Sequence, residues 1–281
     1  MSKGFVRVAL LSCAAIAVSP ALANHSWGNY HWARSSNPLQ LKIERQLTTK
    51  WVTAYNTAVA DWDQSTVLSI TRANSNLGVS SRKCSAVTGK ALVCNDHYGQ
   101  RGWLGIASIW ADSQSHITKA TTKLNDSYFD SPTYNTPAWI ALVTCQEIGH
   151  DFGLGHQDEN FSNANLGTCM DYTNNPATNQ HPNAHDYEEL VDIYTHLDSY
   201  GTSSAQLATN FGIRTPGSRA PAAPVADNES GDSAAEWGRA VHNDGLGRPD
   251  LFVKDLGAGH KKITHVFWAI GEGPKGGHHD E

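Results

Sequence analysis

Between residues 146 and 158 the chain reads Gln-Glu-Ile-Gly-His-Asp-Phe-Gly-Leu-Gly-His-Gln-Asp. Gln146 and His150 stand four apart, so on a helix they share a face about one turn apart and can grip one cation. Glu147 comes next, angled toward the space before that cation, where a carboxylate can take a proton from water. Gly153 lets the chain leave the helix sharply, with positive φ, and swing His156 back as a third ligand. Three protein ligands with an open fourth position suit a catalytic zinc; a structural zinc is closed by four. Gln146 is the unusual member, because an amide oxygen is a neutral donor and a weaker one than imidazole. Two ligand sets stay open: Gln146, His150 and His156, or His150 and His156 with Asp158. The bland reading of Gln146 is a buried amide satisfied by backbone partners.

A helix must carry this row. Thr136-Pro137 offers an N-cap followed by proline at the first helical position, and the stripe Trp139, Leu142, Val143 continues onto Gln146 and His150 until about Gly153. Upstream, 39–47 alternates as a first strand and 50–63 has helical spacing. Strands are expected at 67–73 and on both sides of Thr88-Gly89-Lys90. Residues 103–110 are apolar enough to be buried, and 117–125, β-prone with lysines, suits an edge strand. A further helix is expected over 184–198, with Tyr187, Leu190, Val191, Tyr194 and Leu197 on one face. Residues 199–235, rich in Ser, Ala, Thr, Pro and Gly, read as a linker, and 236–281 as a small β-rich segment with a mobile tail.

Composition narrows the function classes. A net charge of −6 and a pI near 6.1 give no basic patch for nucleic acid or an anionic membrane. Nine tryptophans read first as core side chains. Residues 1–23 have the signal-peptide pattern: Lys3 and Arg7, a short apolar run, then Ala21-Leu22-Ala23. No later stretch is apolar and long enough for a membrane helix. Apart from Cys13 in the leader, four cysteines remain, and an even number in an exported chain favours disulfides. Of three possible pairings, Cys84–Cys94 across a hairpin and Cys145–Cys169 are favoured; the latter would pin the ligand helix to the floor of its site.

Glu147, His150, Gly153 and His156 resemble the metzincin pattern HExxHxxGxxH, and Met170, fourteen residues after His156, resembles the methionine turn that follows it. With Gln at 146 the motif is similar to the QExxHxxGxxH variant of gametolysin-like peptidases. The resemblance spans about 37–198 and implies an α+β fold: a twisted mixed sheet packed on helices, with the active-site helix at the cleft and the C-terminal β-rich segment as an appendage. It implies domains at 24–198 (metallopeptidase), 199–235 (linker) and 236–281. It also implies a secreted or periplasmic Zn2+ endopeptidase, a monomer acting on polypeptide, with Gln146, His150 and His156 as ligands and Glu147 as general base on a metal-bound water. Tyr172 matches a tyrosine that family members place near the metal, which implies help at the oxyanion. Substrate is expected to pair with the edge strand at 117–124. The rival expectation, motivated by Gln146, is an inactive scaffold of the same fold that binds polypeptide without cutting it.

Overall fold

The computed structural model describes residues 25–75, 81–210 and 227–274. The expected leader and most of the tail lie outside these residues. The chain enters through a two-residue strand, β1 (His31–Trp32), and continues into β2 (Leu39–Gln46), whose Leu39, Leu41 and Ile43 alternate into the core. Helix α1 (Thr49–Trp62) buries Trp51, Tyr55, Ala58, Val59 and Trp62, a stripe at three-to-four spacing, and leads to β3 (Leu68–Asn74). Three strands follow: β4 (Lys90–Asp96), β5 (Trp103–Ala111) and β6 (His116–Asn125). A single turn, α2 (Asp126–Phe129), precedes α3 (Pro137–His150). After it come α4 (Ala184–Ile193), α5 (Ser204–Asn210) and α6 (Ala234–Trp237), then β7 (Arg239–Asn243), β8 (Pro249–Gly257) and β9 (His260–Trp268).

Among the described residues these strands form one sheet of nine, in the order β3-β2-β4-β6-β5-β9-β8-β7, with β1 beside β6. Neighbours among β1, β2, β3, β4 and β6 are parallel, whereas β5, β9, β8 and β7 add antiparallel pairs. A large mixed sheet with few helices makes the fold α+β. All nine tryptophans are buried, several completely. One such ring, at 150–250 Å² and about 25 cal/mol/Å², contributes roughly 4–6 kcal/mol before entropy is subtracted. Two disulfides, Cys84–Cys94 and Cys145–Cys169, match the favoured pairing and fit an oxidising extracellular location. Among the described residues no helix is long and apolar enough to cross a membrane.

Four local expectations change. Strand β6 is not an edge: β4 pairs one side and β5 the other, so residues 117–124 offer no free backbone to a substrate. Its lysines have partners in the chain, Lys123 Nζ giving hydrogen bonds to Gly231 O and, at 2.8 Å, to Asp232 Oδ1. No strand precedes Gly89, because both flanks of β4 are already taken by parallel neighbours; Cys84–Cys94 therefore closes a loop, not a hairpin. Helix α4 ends at Ile193, leaving Val191 and Leu197 exposed, as Arg34 holds Tyr194 O and Arg34 N holds Asp198 Oδ2 at 2.8 Å. Finally, the C-terminal β-rich segment continues the central sheet: β9 pairs with β5 from Trp103↔Trp268 to Ala111↔Lys261.

Candidate metal centre

Helix α3 is fixed at both ends and along its side. Thr136 Oγ1 accepts from Trp139 N at 3.3 Å, and Pro137 fills a position whose N–H has no intrahelical partner anyway. The Cys145–Cys169 bridge ties the helix to the segment carrying Met170, and Trp62 Nε1 donates to Cys145 O at 3.0 Å. Gly149 permits the closest packing: a Cβ there would sit 2.7 Å from both Met170 Sδ and Trp62 Cζ2. Met170, completely buried, therefore lies directly against the helix backbone beside His150. Gly153 has φ +97°, as the exit from the helix requires, and a Cβ would stand 2.1 Å from Tyr30 O. The turn it makes brings the His156 ring to 4.8 Å from the His150 ring, nearly perpendicular at 88°.

A third imidazole joins these two, and it comes from β9. The His265 ring lies 4.1 Å from that of His150 and 4.5 Å from that of His156, and the three offer nitrogens within 4.8 Å of one another. Hydrogen bonds fix which nitrogen His150 and His265 present. His150 Nδ1 donates to Leu154 O at 2.8 Å, leaving Nε2 unprotonated and without a partner. His156 turns Nδ1 toward Glu159 Oε1 at 3.5 Å, and its Nε2 is likewise partnerless. At His265 the logic runs through Tyr172. The tyrosine hydroxyl donates to Asp250 Oδ2 at 2.6 Å, so its oxygen accepts from His265 Nε2–H at 2.8 Å, and Nδ1 keeps the lone pair. Burial and the neighbouring imidazoles hold His150 and His265 well below the usual histidine range, so both are neutral donors.

Gln146 gives its amide N–H to Cys169 O at 2.7 Å and leaves Oε1 completely buried with no partner. The three imidazole nitrogens, buried and uncommitted, fit a divalent cation of the zinc type. Asp158, the alternative ligand, is outside this group; its Oδ1 accepts from Asn160 N at 2.6 Å and caps a turn. Glu147 lies alongside, its Oε2 3.6 Å from His265 Nδ1. Strand β5 makes room for it with Gly105, where a Cβ would fall 2.7 Å from Glu147 Oε1. Burial, then the nearby Asp151, push the Glu147 carboxyl well above the usual carboxylate range. Tyr172 packs tilted against His156, 3.9 Å between ring centres and 33° between planes, and burial followed by Asp250 raises its hydroxyl far above the ordinary phenol value.

The centre lies under two covers. Trp27 stacks on His150 at 4.8 Å, and Ser26 pairs with Leu154. Trp27 and Ser26 also border a cavity of about 440 Å³ that reaches His156 and His265 between Tyr30, Val241, Leu251 and Val253. Sequence reasoning missed His265, Asp250 and Trp27. The signal for His265 was present but weak: a lone histidine inside the apolar run Ile263–Trp268, where a strand would bury it. No family model matches the chain, and no curated protein matches it either.

Proposed function

We propose that this chain is an exported zinc-dependent hydrolase of peptide bonds, with the ion held by His150, His156 and His265 and Glu147 serving as general base. One observation carries this reading. Three imidazole nitrogens without a hydrogen-bond partner converge in one buried space, and the Glu147 carboxylate stands 3.6 Å from one of them. A bound zinc would supply Lewis acidity, lowering the pKa of a water and polarising the scissile carbonyl.

The remaining work belongs to the chain. Glu147 takes the proton from the attacking water and returns it to the departing amine. Its raised affinity for protons, set by burial, suits the first half of that exchange. Gly105 keeps the carboxylate close by leaving it space. Tyr172 acts here on His265, holding its tautomer through the Asp250 relay, a duty that occupies the hydroxyl otherwise expected at the oxyanion. Gln146, whose buried Oε1 has no hydrogen-bond partner, would add a fourth, weaker donor. Because β6 is paired on both sides, substrate enters through the cavity beside His156 and does not lie as an added strand.

A second reading has its own observation. Glu147, His150 and His265 are at most 1% exposed, and His265 arrives on a fully paired strand. On that reading the ion braces β9 against α3, and the chain binds polypeptide without cutting it. Turnover of casein and of quenched peptides by the zinc-loaded full chain separates the two. The peptidase reading expects turnover that a chelator stops, and that Glu147→Gln lowers at least about 100-fold while zinc stays bound. Absence of turnover in the zinc-loaded chain, or a rate indifferent to Glu147→Gln, leaves only the brace.

A further inference from the structure

A second histidine cluster lies away from α3, where the two-residue β1, the start of β6 and the segment after α4 meet. His31 and His116 face each other across the β1–β6 register, in which they are Cα partners. His196 and Asp198 come from the segment that follows α4. We propose that His31, His116, His196 and Asp198 form a second, closed site for a zinc-type divalent cation, one that clasps three remote parts of the chain.

Distances carry the first part of the case. His31 Nε2 is 3.2 Å from His196 Nε2, and His116 Nε2 and His196 Nε2 are each 3.4 Å from Asp198 Oδ1. His31 Nε2 is 3.6 Å from Asp198 Oδ2. Four ligands about 2.0–2.1 Å from a tetrahedral ion stand roughly 3.3–3.4 Å from each other. Three of these contacts, at 3.2–3.4 Å, match such edges, and His31, His116 and Asp198 offer ligand atoms that all lie within 4.8 Å of one another.

Proton positions carry the second part. His31 Nδ1 donates to Asn29 O at 2.9 Å, which leaves Nε2 with a lone pair. Tyr200 donates its hydroxyl proton to Asp112 Oδ2 at 2.6 Å, so its oxygen accepts from His116 Nδ1–H, also at 2.6 Å, and His116 Nε2 is bare as well. Both bare nitrogens point at a carboxylate whose Oδ2 already accepts from Arg34 N at 2.8 Å. Lone pairs converging on an anion repel it unless positive charge sits among them, and a bound cation supplies that charge, as a proton on one of the rings also would. The Asn29 carbonyl and the Tyr200–Asp112 relay are also the outer partners that metal-bound imidazoles have in general. With a carboxylate inside a set of four, the site has no open position and no adjacent base. That makes it structural, not catalytic. His31, His116 and Asp198 side chains are only 8–10% exposed, whereas His196 is 56% exposed and gives the ion a way in beside a cavity lined by Gly28, Gln114 and Asp192.

The test is zinc stoichiometry on the untagged full chain, dialysed against a weak competing chelator. Wild type should hold two equivalents, and His150→Ala/His156→Ala should keep one. His196→Ala, at an exposed position that need not disturb folding, should lose one; Asp198→Asn, which preserves an acceptor for Arg34 N, should lose the same one. In the His150→Ala/His156→Ala protein, cobalt should give the intense visible bands of a four-coordinate ion, and adding His196→Ala should abolish them. Full zinc in His196→Ala overturns the proposal, as does a zinc-free His150→Ala/His156→Ala protein that folds. Should wild type bind a single equivalent, its loss in His196→Ala supports this clasp and removes the α3 centre, and its retention does the reverse.

Discussion

The two histidine clusters invite comparison because they share a plan and differ in where the acid stands. Each backs a histidine with a tyrosine that is itself committed to an aspartate: Tyr172 and Asp250 behind His265, Tyr200 and Asp112 behind His116. In the cluster on α3 the carboxylate, Glu147, stands beside the three imidazoles with neither oxygen engaged. In the β1–β6 cluster the carboxylate, Asp198, stands among the imidazoles and completes the set. A free carboxylate next to an incomplete donor set can move protons; one built into a complete set can only hold. The difference teaches that the position of the acid, more than the number of histidines, separates a centre able to react from one able to fasten. The means of support differ too. The α3 centre is braced covalently by Cys145–Cys169, whereas no disulfide joins the segments that meet at the second.

Replacing His265 breaks the comparison most directly. His265→Ala should weaken zinc at the α3 centre by more than the roughly 10–100-fold that outer partners contribute, and should stop hydrolysis, with the second equivalent untouched. Zinc titration checks both; unchanged affinity at the α3 centre would mean that Gln146, His150 and His156 suffice. Removing the covalent brace comes next. Cys145→Ala/Cys169→Ala opens a loop of 24 residues and should cost about 3 kcal/mol in urea unfolding. Chelation, by contrast, should destabilise the segments around His31 and Asp198 more than α3, which hydrogen exchange can resolve.

Gly105→Ala sharpens the role of the free acid. Its Cβ would have to displace Glu147, so kcat should fall about 100-fold with zinc content preserved. A rate near wild type would show that Glu147 need not stand where it does. Tyr172→Phe should have a smaller effect, about tenfold weaker zinc at the α3 centre, since it removes only the partner of His265 Nε2. The smallest effect belongs to a histidine outside both clusters. Asp130 hydrogen-bonds exposed His97 and raises its pKa, so this pair stabilises the fold below the unfolded histidine value and loses that contribution as pH rises through the folded one. His97→Ala should therefore cost no more than about 0.5 kcal/mol at pH 5 and nothing measurable at pH 9, by thermal melts. An equal loss at both pH values would deny the ion pair.

Local order was legible in the sequence. Both favoured disulfide pairs are present, though Cys84–Cys94 closes a loop and not the expected hairpin. The caps and stripe of α3, the four-residue spacing of Gln146 and His150 and the positive φ at Gly153 follow from short-range geometry, and the structure has them. These features depend on helix period and chain connectivity, which a sequence carries within a dozen or so residues. Tertiary structure alone decided that β6 lies inside the sheet, that the β-rich C-terminal segment continues it beside β5, and that His265 meets His150 across more than a hundred residues. It likewise decided that His31, His116 and Asp198 converge, with His196 beside His31 and Asp198. Strand partners are chosen by which edges remain free once the rest of the chain has packed. Alternation along one strand says which side chains point inward, but not which neighbour they will find there.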